Sequence, residues 1–560
     1  MKVCNIIKIL IIIFFSIGTF CFWWLRHPEL LSFHEQNQMF LFTGDYFHER
    51  ISVAGGMADY VSEYLVQFYY YASAGAAIVA LILVLLQIIS YQALRTITKT
   101  WDLTPYLMSW ILTILMSVHM MDENTLLSFP IAIILSLLSY LICRRGGWVC
   151  QLIGSLPLYW LVGPAFIIQV ALAAAESMKD RTWKTAILPI STLIISAVAW
   201  VYICRMLWIA QYPWDTVLAG INYHRLTIMS MSAPALQNTI LATMISFIVV
   251  LPLMQFFKQY FHDRINLDLT TAICAACIYG GFIIAPNIIN NHHDENTHVI
   301  LEQLYLMRKG DWNGIIGKAE EYNKQHLAAL ETPLSCAAVN LSLEMTGQLS
   351  TRMFEFPQTG IQGLLMPRVR DNVSNVTTME AFWQLGFINE SLRYAFDTQE
   401  SIPNTRKSAR FTRRMAECNI LNGRYDVASK YIDLLKQTLF YDTWAEHAEL
   451  YLYNEDRITG FPEWNQKKQN RLSNDFLFYY PEMPKMLGQL VLHNRDNRMA
   501  FDYFMASLLL TGDTRSFLAN LNIQPQPGVD PFPKGYIEYT EYMKTHAAPA
   551  DAVTGATATR

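Results

Sequence analysis

Up to residue 290 the chain is a succession of apolar runs of about 20 residues divided by short charged links, and after residue 291 such runs cease. A helix needs about 20 apolar residues to cross a hydrocarbon core of about 30 Å. The pattern therefore predicts transmembrane helices over 4–25, 68–93, 105–121, 125–143, 185–207, 236–257 and 268–290. The stretch 148–175 exceeds one crossing and is interrupted at Gly163 and Pro164. Proline removes a backbone donor that protein or water must replace, so the stretch reads as two short helices or as a re-entrant hairpin. The first run ends in Phe22, Trp23 and Trp24 without a small-x-small cleavage site, which marks an uncleaved anchor. Residues 1–290 thus form a transmembrane domain of about 7 to 9 helices, with an external loop at 26–67.

From residue 291 the pattern changes to amphipathic helices that end at glycine. Gly310, Gly347, Gly386 and Gly423 are 37, 39 and 37 residues apart, a period typical of stacked helix pairs. Met307 to Trp312 and Ile420 to Tyr425 share a local pattern, and Leu510 to Asp513 echoes it. Pro357, Gly360, Gly363 and Pro367 mark 349–375 as an irregular insertion. These residues resemble tetratricopeptide repeats. The resemblance implies an α-solenoid over 291–546 with a concave surface for a protein partner. The tail 547–560, AAPADAVTGATATR, is too small-sided to build a core and is expected to be disordered. The fold class is all-α, a polytopic transmembrane helical bundle followed by an α-solenoid.

Net charge is only −4, so no basic field invites nucleic acid. The distribution of charge says more. With the N-terminus inside, Lys2, Lys8, Arg95, Lys99, Arg144, Arg145, Lys179, Arg181, Lys184, Lys258 and Arg264 gather at the cytoplasmic ends, and only Arg26, Arg50, Arg205 and Arg225 face out. This is the positive-inside asymmetry. It predicts an inner-membrane protein with a cytoplasmic N-terminus and, in a Gram-negative cell, a periplasmic C-terminal domain. Cys274 and Cys277 sit in an apolar run and read as packing residues, while Cys336 and Cys418 fall on helices with no disulfide framework around them.

The loop 26–67 sets His34, Glu35, Asp45, His48, Glu49, Asp59 and Glu63 among aromatic and aliphatic residues, as amphipathic helices at a membrane surface do. Carboxylates in such a place can act as bases. One membrane helix, a long external loop with an early acidic residue, many further spans and an external helical domain together resemble the GT-C glycosyltransferases, which use lipid-phosphate sugars. The resemblance implies Glu35 as catalytic base, with Asp45 or Asp59 as a second polar contact. Where many members of that superfamily carry an Asp-Glu or isolated Asp, this chain has His34 and Glu35, which leaves use of a divalent metal open. The chain is also similar to polytopic bacterial inner-membrane proteins of unknown function that share the polar run His34 to Gln38.

Arg205, at the outer end of an apolar helix, and His224 with Arg225, in the next external loop, are candidate phosphate ligands alongside His34. A guanidinium grips phosphate through two parallel hydrogen bonds. His292, His293, Asp294 and His298 offer ligand atoms just after the last span, but their spacing matches no zinc signature and they read as a polar cap. The leading expectation is glycosyl transfer from a polyprenyl-phosphate donor at the outer leaflet to an envelope acceptor presented by the repeats. The alternative is a non-enzymatic assembly scaffold whose repeats bind an envelope protein. A transporter, with Gly163 and Pro164 breaking a helix at its site, is third.

Overall fold

The computed structural model describes residues 2–98, 103–179, 183–225, 232–260, 295–473 and 478–520. The expected span 268–290, Cys274, Cys277, His292, His293, Asp294 and the tail 547–560 lie outside the described residues. Among the described residues all regular structure is helical, with one isolated antiparallel bridge between Thr125 and His224. The chain divides into two compact units. The first takes the described residues up to 260 together with 403–408 and 437–440, and the second takes 295–402, 409–436 and those from 441 on.

In the first unit α1 (Lys2–Leu25) leads to α2 (Pro28–Gln36), α3 (Gly44–Ile51) and α4 (Gly56–Val66), all within the loop, followed by α5 (Ala72–Thr96) and α6 (Leu103–His119). Then come α7 (Ser128–Cys143), α8 (Gly147–Val162), α9 (Ile167–Lys179), α10 (Trp183–Leu207), α11 (Trp214–Ala219) and α12 (Ser232–Tyr260). Among the described residues five segments are long and apolar enough to cross a membrane: Ile6–Leu25, Ala72–Thr96, Ser128–Met178, Thr185–Leu207 and Ala235–Pro252. They mark a multi-pass membrane protein. Phe14 on α1 and Ile195 and Val198 on α10 are well exposed, and such apolar outer faces belong against lipid.

The stretch 148–175 forms α8 and α9, two short helices joined by a 3-10 turn at Gly163–Phe166. Gly163 has φ +72° and faces Gly55, which has φ +90° and precedes α4. A Cβ on Gly163 would lie 3.2 Å from the Tyr223 hydroxyl and 3.5 Å from Gly55 Cα, so two glycines let the loop close onto the bundle. That close approach, with Gly55 N–H donating to Trp160 O at 2.9 Å, fixes where α4 begins.

The second unit consists of short helices, most of them paired in sequence. Gly310, Gly347, Gly386, Gly423 and Gly512, with φ between 68° and 101°, each end one helix and let the next turn back. The pairs are Glu295–Lys309 with Trp312–Lys324, Pro333–Met345 with Leu349–Arg352, Asn375–Leu385 with Ile388–Glu400, Ala409–Leu421 with Tyr425–Leu435, and Arg498–Leu510 with Thr514–Asn520. Late helices return to early ones: Pro462–Asn470 packs on Asn375–Leu385 and Ala409–Leu421, and Asn497 Nδ2 donates to Leu385 O at 2.9 Å. One apolar core runs from Val299 to Phe517, so the array folds back on itself instead of contacting only sequential neighbours.

A buried charged centre as the candidate functional site

The five residues His34 to Gln38 are polar, yet each is buried in the first unit. Burying such groups is costly unless they find partners, so the loop is built around them. Pro28 starts α2 at the position where a missing N–H matters least. The extended strip that follows is held by two segments distant in sequence: Met39 N–H donates to Lys407 O at 2.9 Å and Phe42 N–H to Gln437 O at 3.0 Å. Phe440 then stacks on Tyr70 with ring centroids 5.3 Å apart.

Arg225 is 3% exposed. Its Nη1 donates to Glu123 O at 2.6 Å, its Nη2 lies 3.2 Å from His34 Nδ1, its Cζ stands 5.3 Å from the Phe33 ring centre, and its Nε has no hydrogen-bond partner. No carboxylate is among the polar partners of its guanidinium in the described residues. Burial lowers its pKa to about 9, which leaves it a cation at neutral pH. Burial, and then Arg225, hold the His34 pKa well below its usual value. The imidazole is therefore neutral and accepts from the guanidinium at Nδ1, which places its proton on Nε2. The backbone positions Arg225 against the turn that carries Glu123, since Arg225 N–H donates to Asn124 O at 2.7 Å and Leu126 N–H to Tyr223 O at 3.0 Å. Glu123, in the same turn, has its pKa raised to about 6 by burial and then by Asp122.

A second set of charges lies in the same unit. Arg406 forms ion pairs with Asp59 and Glu63, all three almost wholly buried. Glu63 also accepts from the Tyr46 hydroxyl and lies 3.1 Å from Arg50 Nε. Burial, and then Glu63, push the Tyr46 pKa well up, so it remains a phenol. The turn that delivers Arg406 is strained: Asn404 and Thr405 have φ of 60° and 56°, and a β-branched residue rarely adopts that conformation. Asn404 Nδ2 donates to His224 O at 3.2 Å, tying this turn to the segment that carries Arg225.

Of the residues singled out from sequence, His34 and Arg225 are brought into contact, and His224 sits beside them with its Nδ1 unpartnered. Glu35 is buried at the end of α2. Asp59 is committed to Arg406. Asp45 is exposed in the first turn of α3, where an acid favours the helix dipole. Arg205 stands 5.5 Å from the Trp214 ring centre, and none of its described contacts reaches His34 or Arg225. His298 lies on Glu295–Lys309 in the second unit. Sequence reading missed Arg406, Glu123 and the partnership of Glu63 with Tyr46. The Asn404–Thr405 pair before Arg406 carried at most a weak turn signal.

Among known proteins, one family, described as a family of unknown function (DUF6057), matches residues 2–554. No curated protein and no solved structure matches the chain.

Proposed function

We propose, from the premise that the chain belongs to the DUF6057 family of unknown function, that this membrane protein transfers a glycosyl group from a polyprenyl-phosphate donor to an envelope acceptor. The observation that carries the reading is Arg225, a buried guanidinium that hydrogen-bonds a carbonyl and a neutral imidazole and no carboxylate. Glu123 and Asp122 favour its charge from nearby, but neither carboxylate is hydrogen-bonded to the guanidinium, and a donor phosphate would supply an anion in the geometry a guanidinium fork prefers. The cavity bounded by His34, Tyr69 and Thr125 measures about 20 Å³. That is room for one water, so phosphate entry displaces the His34 ring or the turn around Glu123.

In the reaction the bond between the sugar anomeric carbon and the donor phosphate oxygen breaks, and a bond from that carbon to the acceptor hydroxyl oxygen forms. Glu35 takes the hydroxyl proton, and the phosphate leaves with its charge held by Arg225. Asp59 and Glu63, paired with Arg406, shape the site and are not its bases. The excess of Lys and Arg at one set of helix ends supports a cytoplasmic N-terminus, an inner-membrane location and a periplasmic domain after residue 290.

Native mass spectrometry of detergent-solubilised protein with a long-chain polyprenyl phosphate sugar tests this reading. Glu35→Gln is expected to retain the donor and lose transfer, and Arg225→Gln to bind the donor more weakly than wild type. Full transfer by Glu35→Gln would remove Glu35 from the mechanism, and donor binding by Arg225→Gln at wild-type strength would remove the phosphate site. The helix pairs hinged at Gly310, Gly347, Gly386 and Gly423 favour a second reading, a tetratricopeptide-like scaffold that binds an envelope protein without catalysis. Crosslinking of the full chain in cells to one defined envelope protein, with no donor bound, would select it.

A further inference from the structure

α1 and α6 border a groove of about 530 Å³ lined by Ile11, Phe14, Phe15, Phe22, Tyr106 and Trp110, within the range of about 300–1,000 Å³ common for ligand sites. Phe15 and Trp110 meet edge to face at 5.0 Å on its wall. Gly18 keeps it open, because a Cβ there would meet nothing within 4 Å. From Ile11 to Trp23 the helix rises about 18 Å, slightly more than one leaflet's share of a hydrocarbon core of about 30 Å. Trp23 lines this groove and also the small cavity beside His34, so the apolar channel ends where the cationic centre begins. Phe14 is 81% exposed, which leaves the groove open sideways to lipid.

We propose that the groove between α1 and α6 holds the hydrocarbon tail of a lipid monophosphate whose phosphate is taken by Arg225 and His34. The inference rests on the donor reading above and adds the tail subsite and its route of entry, sideways from the bilayer. The occupant follows from continuity and charge: an apolar channel about one leaflet deep, closed at one end by Trp23 beside the centre where Arg225 hydrogen-bonds no carboxylate, complements a long tail capped by an anion.

The test measures binding of three probes to the full-length protein in detergent: a long-chain polyprenyl phosphate, the matching polyprenol, and inorganic phosphate. Gly18→Leu fills the groove, and Ser117→Leu narrows it from α6 should the first variant fold poorly; Gly18→Ala is the control. Each leucine displaces tail methylenes and is expected to weaken polyprenyl phosphate and polyprenol alike by roughly tenfold or more, with an unchanged preference between the two. Arg225→Gln is expected to abolish that preference and leave polyprenol binding intact. Unchanged binding in both leucine variants overturns the tail subsite, as does a groove that releases only a co-purifying diacyl phospholipid. Tail-dependent binding with no preference for the phosphate keeps the groove and removes the phosphate reading.

Discussion

Replacing Arg406 with alanine removes the one guanidinium that, among the described residues, is paired with both Asp59 and Glu63. The side chains of these two carboxylates are 0% exposed and that of Arg406 is 3% exposed, so water cannot take the place of the lost partner. Glu63 keeps Arg50 at 3.1 Å and the Tyr46 hydroxyl, and the damage therefore falls chiefly on Asp59, which has no other ion pair among the described residues. Breaking a buried pair from one side costs about 3–5 kcal/mol, a large share of the roughly 5–15 kcal/mol that keeps a domain folded. At about 2–4 °C per kcal/mol for a large domain, the melting temperature should fall by roughly 6–20 °C. Thermal unfolding of detergent-solubilised protein, followed by tryptophan fluorescence, measures the change. Adding Asp59→Asn to Arg406→Ala removes the stranded charge and should recover part of the loss. Melting of Arg406→Ala within a degree or two of wild type, or no recovery with Asp59→Asn, would refute the account of this centre.

Two further outcomes follow from the same unit. Gly163→Ala places a Cβ at φ +72° against the Tyr223 hydroxyl and Gly55 and should destabilise by at least about 1–3 kcal/mol; an unchanged melting temperature would show that the α8–α9 turn relaxes freely. The Glu123 pKa is raised from 4.5 to about 6 in the folded protein. The folded state thus binds this proton more tightly than the unfolded state, and the contribution is complete below pH 4.5 and is lost as pH rises through about 6. That loss amounts to at most about 2 kcal/mol. Glu123→Gln should flatten the fall in melting temperature over this window, and a variant with the wild-type profile would contradict the assignment.

The order of helices was legible because apolar length and glycine spacing are local signals. The runs that became α5 and α10 could be read from composition, and Gly310, Gly347, Gly386 and Gly423 already marked the turns of the second unit. Gly163 and Pro164 announced a break, whereas the approach of Gly55 to Gly163 joins residues over a hundred positions apart and leaves no local signal. The return of Pro462–Asn470 onto Asn375–Leu385 depends on surfaces far apart in sequence, to which a periodicity is blind. The charged centre was half legible. His34, Asp59 and Arg225 stand out as ionisable residues near apolar runs, whereas Arg406 lies in an ordinary polar stretch whose partner is 347 positions away. Nothing local distinguishes it from neighbouring exposed cations.

That separation has a consequence in time. A ribosome adding about 5–20 residues per second needs roughly 17–70 s to travel from Asp59 to Arg406, and the sequence distance between them is 347 residues. During that interval the nascent first unit holds two acids destined for the interior and lacks their shared counter-charge. Maturation of the membrane-spanning part is therefore a late event in synthesis, gated by a segment encoded well past its own helices. A chain stopped before residue 403 should be recognised by quality-control proteases as unfinished, even with every described apolar helix already made.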